Sequence, residues 1–483
     1  MQRLWAWARG FHVELALFGG MFIVLWLLAI LFRQDATHLS YAAHFVAQDQ
    51  SWLHGHLDVP AWLGHDLVHI GDKLYIVYPP APALLMLPFV AVLGDHFSDI
   101  WFSWLAGAAN VALLFHLLQA IRRKGWSQRP TAENVIIALT FGLGSIALWL
   151  AVGGTVWFTA QTLAITFTLL MLLATVRHNW WLASAALGAL FLTRSPDILG
   201  GIVVLAVAWQ SAVKQPQPES PQATQAPLHR NGEGLGWGQL VLPPPRTILA
   251  LAIPMAVTLV IWLVRNKLYF GSWLSSGYDL QIAQDYPQIQ YGLLSWHYIW
   301  PNFVVDFLNL PAFNFASPYD VHPVLDVLRG GNGTSIFFTT PLFLLFFLPA
   351  QSAAPRWLRA ALWLCVGLLI AFSLVWNLTG WYQVGARYLF DVYPYLFLLL
   401  AMRGERIGWR WLTLAGAGMM VNLALANVFW CQDGACLGDH LTTRWLAFGM
   451  LLAAVPLACG AAWWWLRREP VISREVEDAT TSE

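Results

Sequence analysis

Ionisable side chains are scarce in this chain, so the places where they gather are informative. Asp, Glu, Lys and Arg together make up only 11% of the 483 residues. Residues 33–78 nevertheless hold six of the 14 histidines (His38, His44, His54, His56, His65, His69) and five aspartates (Asp35, Asp49, Asp58, Asp66, Asp72). A carboxylate or an imidazole within hydrogen-bond reach of a hydroxyl can take its proton as the oxygen attacks, so this stretch is where a general base is expected. Basic groups come from other parts of the chain: Arg194 in "FLTRSPDIL", Arg265 and Lys267 in "LVRNKLYFGS", and Arg387 in "GWYQVGARYLFDVYP". The planar donor fork of arginine suits a phosphate. Arg194 with Asp197, and Arg387 with Asp391, also have the three- and four-residue spacing of local ion pairs.

A metal site is a weaker reading. His65 and His69 have the i, i+4 spacing that binds zinc on a helix, and His54 and His56 sit in "HGH". Gly64 and Gly71 bracket the first pair, however, and no cysteine is near. No ligand set is assigned, a divalent metal is left open, and no other cofactor is indicated.

The elements that must position these groups are apolar. Hydrophobic residues form 58% of the chain, against roughly 25% charged residues and a far more polar composition in a soluble domain. Runs such as 12–32 and 132–152 reach the roughly 20 residues needed to cross a bilayer. The chain is therefore expected to be an all-α polytopic membrane protein. About twelve spans are read from the apolar runs: 11–32, 99–121, 132–152, 155–176, 179–194, 197–213, 247–268, 334–350, 357–377, 386–402, 411–430 and 443–466. The first is too long for a signal-peptide core and has no small-residue cleavage site after it, so it is read as retained.

Orientation follows from Lys and Arg placement. With the N-terminus cytoplasmic, 18 of the 26 basic residues fall inside, including Arg122, Arg123, Lys124 and Arg129 after the second span. Both termini are thus expected in the cytoplasm, in a cell inner (plasma) membrane. The same count keeps residues 79–94, "PPAPALLMLPFVAVLG", from crossing. It is read as an interfacial or re-entrant helix begun by its prolines, which suit a first turn whose N–H groups lack partners. Before it, "SYAAHFVAQDQSWL" has helical spacing, and "GHDLVHIGDKLYIVY" has a Gly71-Asp72 turn beside alternating residues.

Residues 1–468 are read as a single transmembrane domain. Its two outer loops are 33–98 and 269–333, the second rich in aromatic and polar residues. The inner loop 214–246 and the tail 469–483 are Pro/Gln/Ser-rich or acidic and are expected to lack structure. No internal repeat suggests a transporter of duplicated halves. The formal net charge is zero, which excludes a polybasic nucleic-acid binder. Cys431 and Cys436 flank a short loop and pair only in an oxidising compartment.

The combination of "HFVAQDQSWLHGHLDVP", "GDKLYIVYPPAPALLMLPFVAVLG", "FGSWLSSGY", "FLTRSPDIL" and "GARYLFDVYPYLFLLLA" resembles bacterial membrane glycosyltransferases of the GT-C class. That class includes protein O-mannosyltransferases and lipid A aminoarabinose transferases. The resemblance runs from the first span to about residue 402. It implies a multi-helix enzyme that moves a sugar from a polyprenyl-phosphate donor, with inversion, to a hydroxyl of a glycan, lipid or protein acceptor outside the membrane. It also implies an acidic base in the first outer loop and basic residues on the donor phosphate. The usual Asp-Glu pair after the first span is absent here. Asp35 matches its position best, Asp66 comes second and His44 is a non-acidic alternative. The phosphate-binding set is Arg387, Arg194, Lys267 and Lys73. The competing readings are a flippase for lipid-linked saccharides, which needs polar residues such as Asn110, Gln119, Gln161 and Asn422 along a transmembrane path, and a polymerase or ligase of surface glycans.

Overall fold

The computed structural model describes residues 11–213, 242–285, 291–310, 315–317, 320–321, 333–377, 383–430, 454–462 and 464. The inner loop up to residue 241, the tail, Cys431, Cys436 and residues 443–453 of the last span lie outside them.

Six helical segments among the described residues are long and apolar enough to cross a membrane. They are α1 (His12–Leu31), α4 (Asp99–Arg123), α7 (Val156–Val176), the segment Ser195–Val213 that ends in α9 (Gly201–Val213), α10 (Pro245–Phe270) and α14 (Arg356–Val375). Shorter apolar helices pack among them: α5 (Thr131–Leu143), α6 (Ala147–Val152), α8 (Trp180–Phe191) and α15 (Tyr393–Ala401). The helix α16 (Trp409–Trp430) completes this polytopic helical membrane protein. Residues 33–98, expected from sequence to be the first outer loop, carry α2 (His44–Leu53), strands β1 (Leu67–Ile70) and β2 (Lys73–Ile76), and α3 (Ala81–Leu93). In the second outer loop, α11 (Tyr278–Asp285), α12 (Ile299–Phe303) and a short antiparallel pair, β3 (Phe315–Ser317) with β4 (Asp320–Val321), follow α10.

Local chemistry explains the boundaries. Ser98 caps α4 by accepting from the Ile100 N–H at 3.2 Å, which satisfies one of the orphan donors of a first helical turn. The α3 helix starts at Pro80 and Pro82. Its Leu84, Phe89 and Val92 are exposed, an apolar face that suits a membrane interface. The strands β1 and β2 close on the Gly71-Asp72 turn with Ile70 opposite Lys73, and Gly71 takes the positive φ of 61° that such a turn requires.

Three expected spans are broken. The run 132–152 divides at Gly144 into α5 and α6, because the backbone of α16 approaches there: a Cβ on Gly144 would lie 3.2 Å from the Ala415 carbonyl. In the run 334–350, the helix α13 (Ile336–Thr339) stops before Pro341, which has no N–H to continue it, and a 3₁₀ segment Pro341–Phe347 follows. The run 386–402 begins as a 3₁₀ turn, Arg387–Val392, before α15.

Small residues and polar side chains bind the bundle together, as expected where lipid supplies no hydrophobic drive between helices. Gly107 of α4 lies so close to α6 that a Cβ on it would come 2.7 Å from the Ala151 Cβ. Asn110 donates to the Thr162 carbonyl at 2.8 Å and accepts from Thr166 at 2.7 Å. Gln161 donates to the Arg387 carbonyl and Asn422 to the Thr339 carbonyl. These three side chains are thus committed to helix–helix contacts. At one end of the bundle, Arg129 pairs with Glu133 at 2.7 Å and donates to the carbonyls of Leu400 and Ala401. Arg406 reaches the same Glu133.

One charge in the first outer loop is left without compensation. Asp49 of α2 is 0% exposed, and neither of its carboxylate oxygens has a hydrogen-bond partner among the described residues. Burial pushes its carboxyl up to about 8. Because the folded-state value lies above the unfolded one, the folded state is favoured by the protonated acid. Stability is full below about pH 4 and is lost as pH rises towards 8. Asp49→Asn is therefore expected to raise the unfolding temperature at pH 8 and to flatten its pH dependence between 4 and 8, read by thermal unfolding in detergent.

Candidate functional site

The outer-loop elements and the ends of several spans enclose a cavity of about 1090 Å³. Asp66, Arg194, Asp197, Arg265, Arg387 and Asp391 all line it, together with Trp157, Tyr278 and Gln281. The sequence spreads these groups over more than 300 positions, so the fold alone brings them together.

Asp66 enters the cavity from the turn before β1. Its φ of 56° is left-handed, a conformation that Asp tolerates better than most residues and that recurs at functional sites. The carboxylate is held by three neutral donors. Tyr78 Oη donates at 2.8 Å and Trp157 Nε1 at 3.0 Å to Oδ2, and Gln281 Nε2 donates at 2.9 Å to Oδ1. Burial, with the Asp66 charge beside it, pushes the Tyr78 phenol well up, so it stays a donor. Gln281 is positioned by α11, which docks on β1 through Gln284: its side chain accepts from the His69 N–H and donates to the His69 carbonyl.

Arg265, near the end of α10, crosses to the first outer loop. Its guanidinium donates to the carbonyls of Ile76 at 2.5 Å and Tyr78 at 3.0 Å and lies 4.8 Å from the ring centres of both Tyr269 and Phe270. All its hydrogen-bond acceptors are neutral, and no carboxylate pairs with it among the described residues. The guanidinium is thus held in place by neutral partners, with no carboxylate against it among the described residues.

The other two arginines lie beside carboxylates. Arg194, just after α8, pairs with Asp391 at 2.8 Å and is 3.9 Å from Asp197. The pairing between Arg194 and Asp391 thus joins two segments 197 residues apart. Arg387 lies 5.0 Å and Arg194 5.4 Å from the centre of the Tyr388 ring, which they share. Tyr278 lines the same cavity, within reach of the charges of Arg194, Arg265 and Asp66. The start of α3 is bonded into the same place: the Ala81 N–H donates to the Leu192 carbonyl at 2.9 Å, two residues before Arg194.

The remaining residues singled out from sequence lie elsewhere. Asp35 is exposed and turned onto its own loop, accepting from the Thr37 N–H at 2.9 Å and hydroxyl at 2.6 Å, with His38 Nδ1 at 2.8 Å. Those bonds hold its carboxyl down at about 2, which makes it a poor proton acceptor. His44 is buried behind the cavity, where its Nε2 donates to the His65 carbonyl at 2.9 Å, and burial lowers its basicity. Lys267 is exposed and caps α10 by donating to the Gly271 carbonyl at 2.8 Å. Lys73 is exposed on β2 and pairs with Asp58 at 3.2 Å. Among the described residues no three His, Cys, Asp or Glu side chains group closely enough to hold a metal ion.

Tyr78, Trp157 and Gln281 brace Asp66 in the cavity and carry no signal in the sequence, whereas Arg265 was among the basic groups named with Lys267, two positions on and on the opposite side of the same helix.

Removing Arg194 leaves two buried carboxylates facing each other. Arg194→Ala is expected to destabilise the protein by ~3–5 kcal/mol, measured by unfolding in mixed micelles. Adding Asp391→Ala to the same chain should recover much of that loss, because one of the stranded charges is gone.

No family model matches the chain, and no curated protein matches it. Among solved structures it is similar to ArnT from Cupriavidus metallidurans, whose crystal structure has undecaprenyl phosphate bound. The identity is 15% and the TM-score 0.48, with 93% of this chain and 72% of that chain covered.

Proposed function

We propose that the protein is a membrane glycosyltransferase that moves a sugar from a polyprenyl-phosphate donor to an acceptor hydroxyl, with the cavity on the extracytoplasmic side of the inner membrane and both termini in the cytoplasm. The observation that carries this reading is the meeting of a positioned carboxylate, Asp66, and an uncompensated cation, Arg265, in one cavity. The motif resemblance to GT-C enzymes supports it.

The chemistry is a single displacement. Asp66 takes the proton of the acceptor hydroxyl as its oxygen bonds to the sugar C1. The bond from C1 to the phosphate oxygen breaks, and its electron pair stays on the lipid phosphate. Attack from the face opposite the leaving phosphate inverts the anomeric centre. Arg265, with Arg387 lining the same cavity, stabilises the growing phosphate charge, an effect strongest in a site screened from water. Asp66 rather than Asp35 is the base, since Asp35 is outside the cavity and held at low basicity by its own loop.

The test is a transfer assay on purified protein with a panel of polyprenyl-phosphate sugars. Asp66→Asn should lower turnover ~10²–10⁴-fold while bare polyprenyl phosphate still binds, and Asp35→Asn should stay near wild type. Arg265→Gln should weaken binding of the bare lipid ~10-fold, the scale of one charge-assisted contact. An Asp66→Asn variant that transfers sugar at the wild-type rate contradicts the assignment of the base.

A further inference from the structure

His44 does not line the cavity, yet it touches the parts that hold Asp66. It is the first residue of α2 and is 0% exposed. Its Nε2 lies 2.9 Å from the carbonyl oxygen of His65, 21 residues later. A carbonyl can only accept, so Nε2 carries the hydrogen. Burial lowers the basicity of the ring, so near neutral pH it keeps that hydrogen alone. The ring also packs nearly perpendicular to those of Tyr78 and His65, with centres 5.8 and 5.0 Å away.

The accepting carbonyl matters because of its place in the chain. It shares one rigid peptide plane with the Asp66 nitrogen, so holding it fixes the plane from which Asp66 turns. Asp66 leaves that plane at a φ of 56°, a left-handed value that persists only where the surroundings enforce it. After Asp66 the chain is pinned by the pairing of β1 with β2, beginning with Leu67 opposite Ile76. Before it, the hydrogen bond from His44 supplies the matching restraint. The start of α2 is itself tied to the site: the Ala42 carbonyl accepts from the Val156 N–H at 2.9 Å, one residue before Trp157. The imidazole thus links the Asp66 turn to two of the groups that donate to its carboxylate, Tyr78 and Trp157.

We propose that His44 is a positioning residue for the transfer reaction: its Nε2 hydrogen holds the His65–Asp66 turn so that the Asp66 carboxylate faces the acceptor hydroxyl. This rests on the reading of Asp66 as the base. His44 neither takes nor gives a proton in the displacement. Its contribution is geometric, so it enters the rate of transfer and not the binding of the lipid phosphate beside Arg265.

The experiment compares variants of the full-length protein in detergent, with bare polyprenyl phosphate as the binding probe and the polyprenyl-phosphate hexose that wild type turns over as substrate. His44→Phe keeps a flat ring and removes the donor. Its kcat should fall ~10²-fold, the scale of a misplaced reacting group, with KM and the affinity for the bare lipid unchanged. His44→Gln, whose amide nitrogen reaches about as far as Nε2, should recover most of that kcat. Hydrogen exchange over residues 64–70 should quicken in His44→Phe and stay near wild type in His44→Gln, whatever the state of catalysis. Wild-type kcat or wild-type exchange in His44→Phe, equal losses of kcat in the two variants, or loss of bare-lipid binding in His44→Phe overturns the positioning role. Asp66→Asn working at the wild-type rate overturns instead the assignment of the base on which it rests.

Discussion

Tyr78 couples the two halves of the site. Its carbonyl accepts from the Arg265 guanidinium, and its phenol donates to Asp66. A buried guanidinium costs several kcal/mol unless its donors are satisfied, and here backbone carbonyls of the first outer loop satisfy them. The same contacts therefore fix the loop on α10, keep the cation from being neutralised and set the position of the carboxylate. If that residue moves, the cation and the base move with it.

The neighbouring prolines explain why Tyr78 can be held so firmly. Pro79, Pro80 and Pro82 fix φ over the turn into α3, and the Ala81 N–H is bonded to the end of α8 just before Arg194. The loop is thus anchored on one side by α10 and on the other by α8. The prolines do no chemistry; they join the hairpin carrying Tyr78 to the segment carrying Arg194. On the far wall, Asn302 donates to the carbonyls of Ser373, Leu374 and Trp376. These are orphan acceptors at the end of α14, so the second outer loop is tied down as well.

The helical framework was legible because bilayer-spanning length and lack of charge are strong signals. The helix α2, the Gly71-Asp72 hairpin and the proline-started α3 were legible too, since each rests on local chemistry, although α2 is buried all round over His44–Asp49 and does not lie on the surface as an amphipathic helix. The breaks in three spans were less so, because Gly144 is explained by a helix that arrives 271 residues later in the chain, at Ala415. Asp66 and Arg265 in the cavity come from stretches singled out by sequence, which could not rank the residues within them. Asp66 and Asp35 both sit in an acid-rich loop, and what separates them is a donor on α11, Gln281, 215 residues from Asp66. Arg265 and Lys267 lie two positions apart on an apolar helix, where only the fold shows which one faces inward. The local spacing of Arg387 and Asp391 suggested a pair, whereas Asp391 takes its hydrogen bonds from Arg194.

The central claim is that one outward cavity receives the lipid phosphate beside Arg265 and the acceptor hydroxyl beside Asp66. An electron-microscopy map of the detergent-solubilised protein with polyprenyl phosphate bound tests it most directly. Phosphate density is expected within ~4 Å of the Arg265 guanidinium, on the side of the cavity that opens towards Asp66. Phosphate density at the opposite end of the bundle, among Arg129, Arg403 and Arg406, would contradict it.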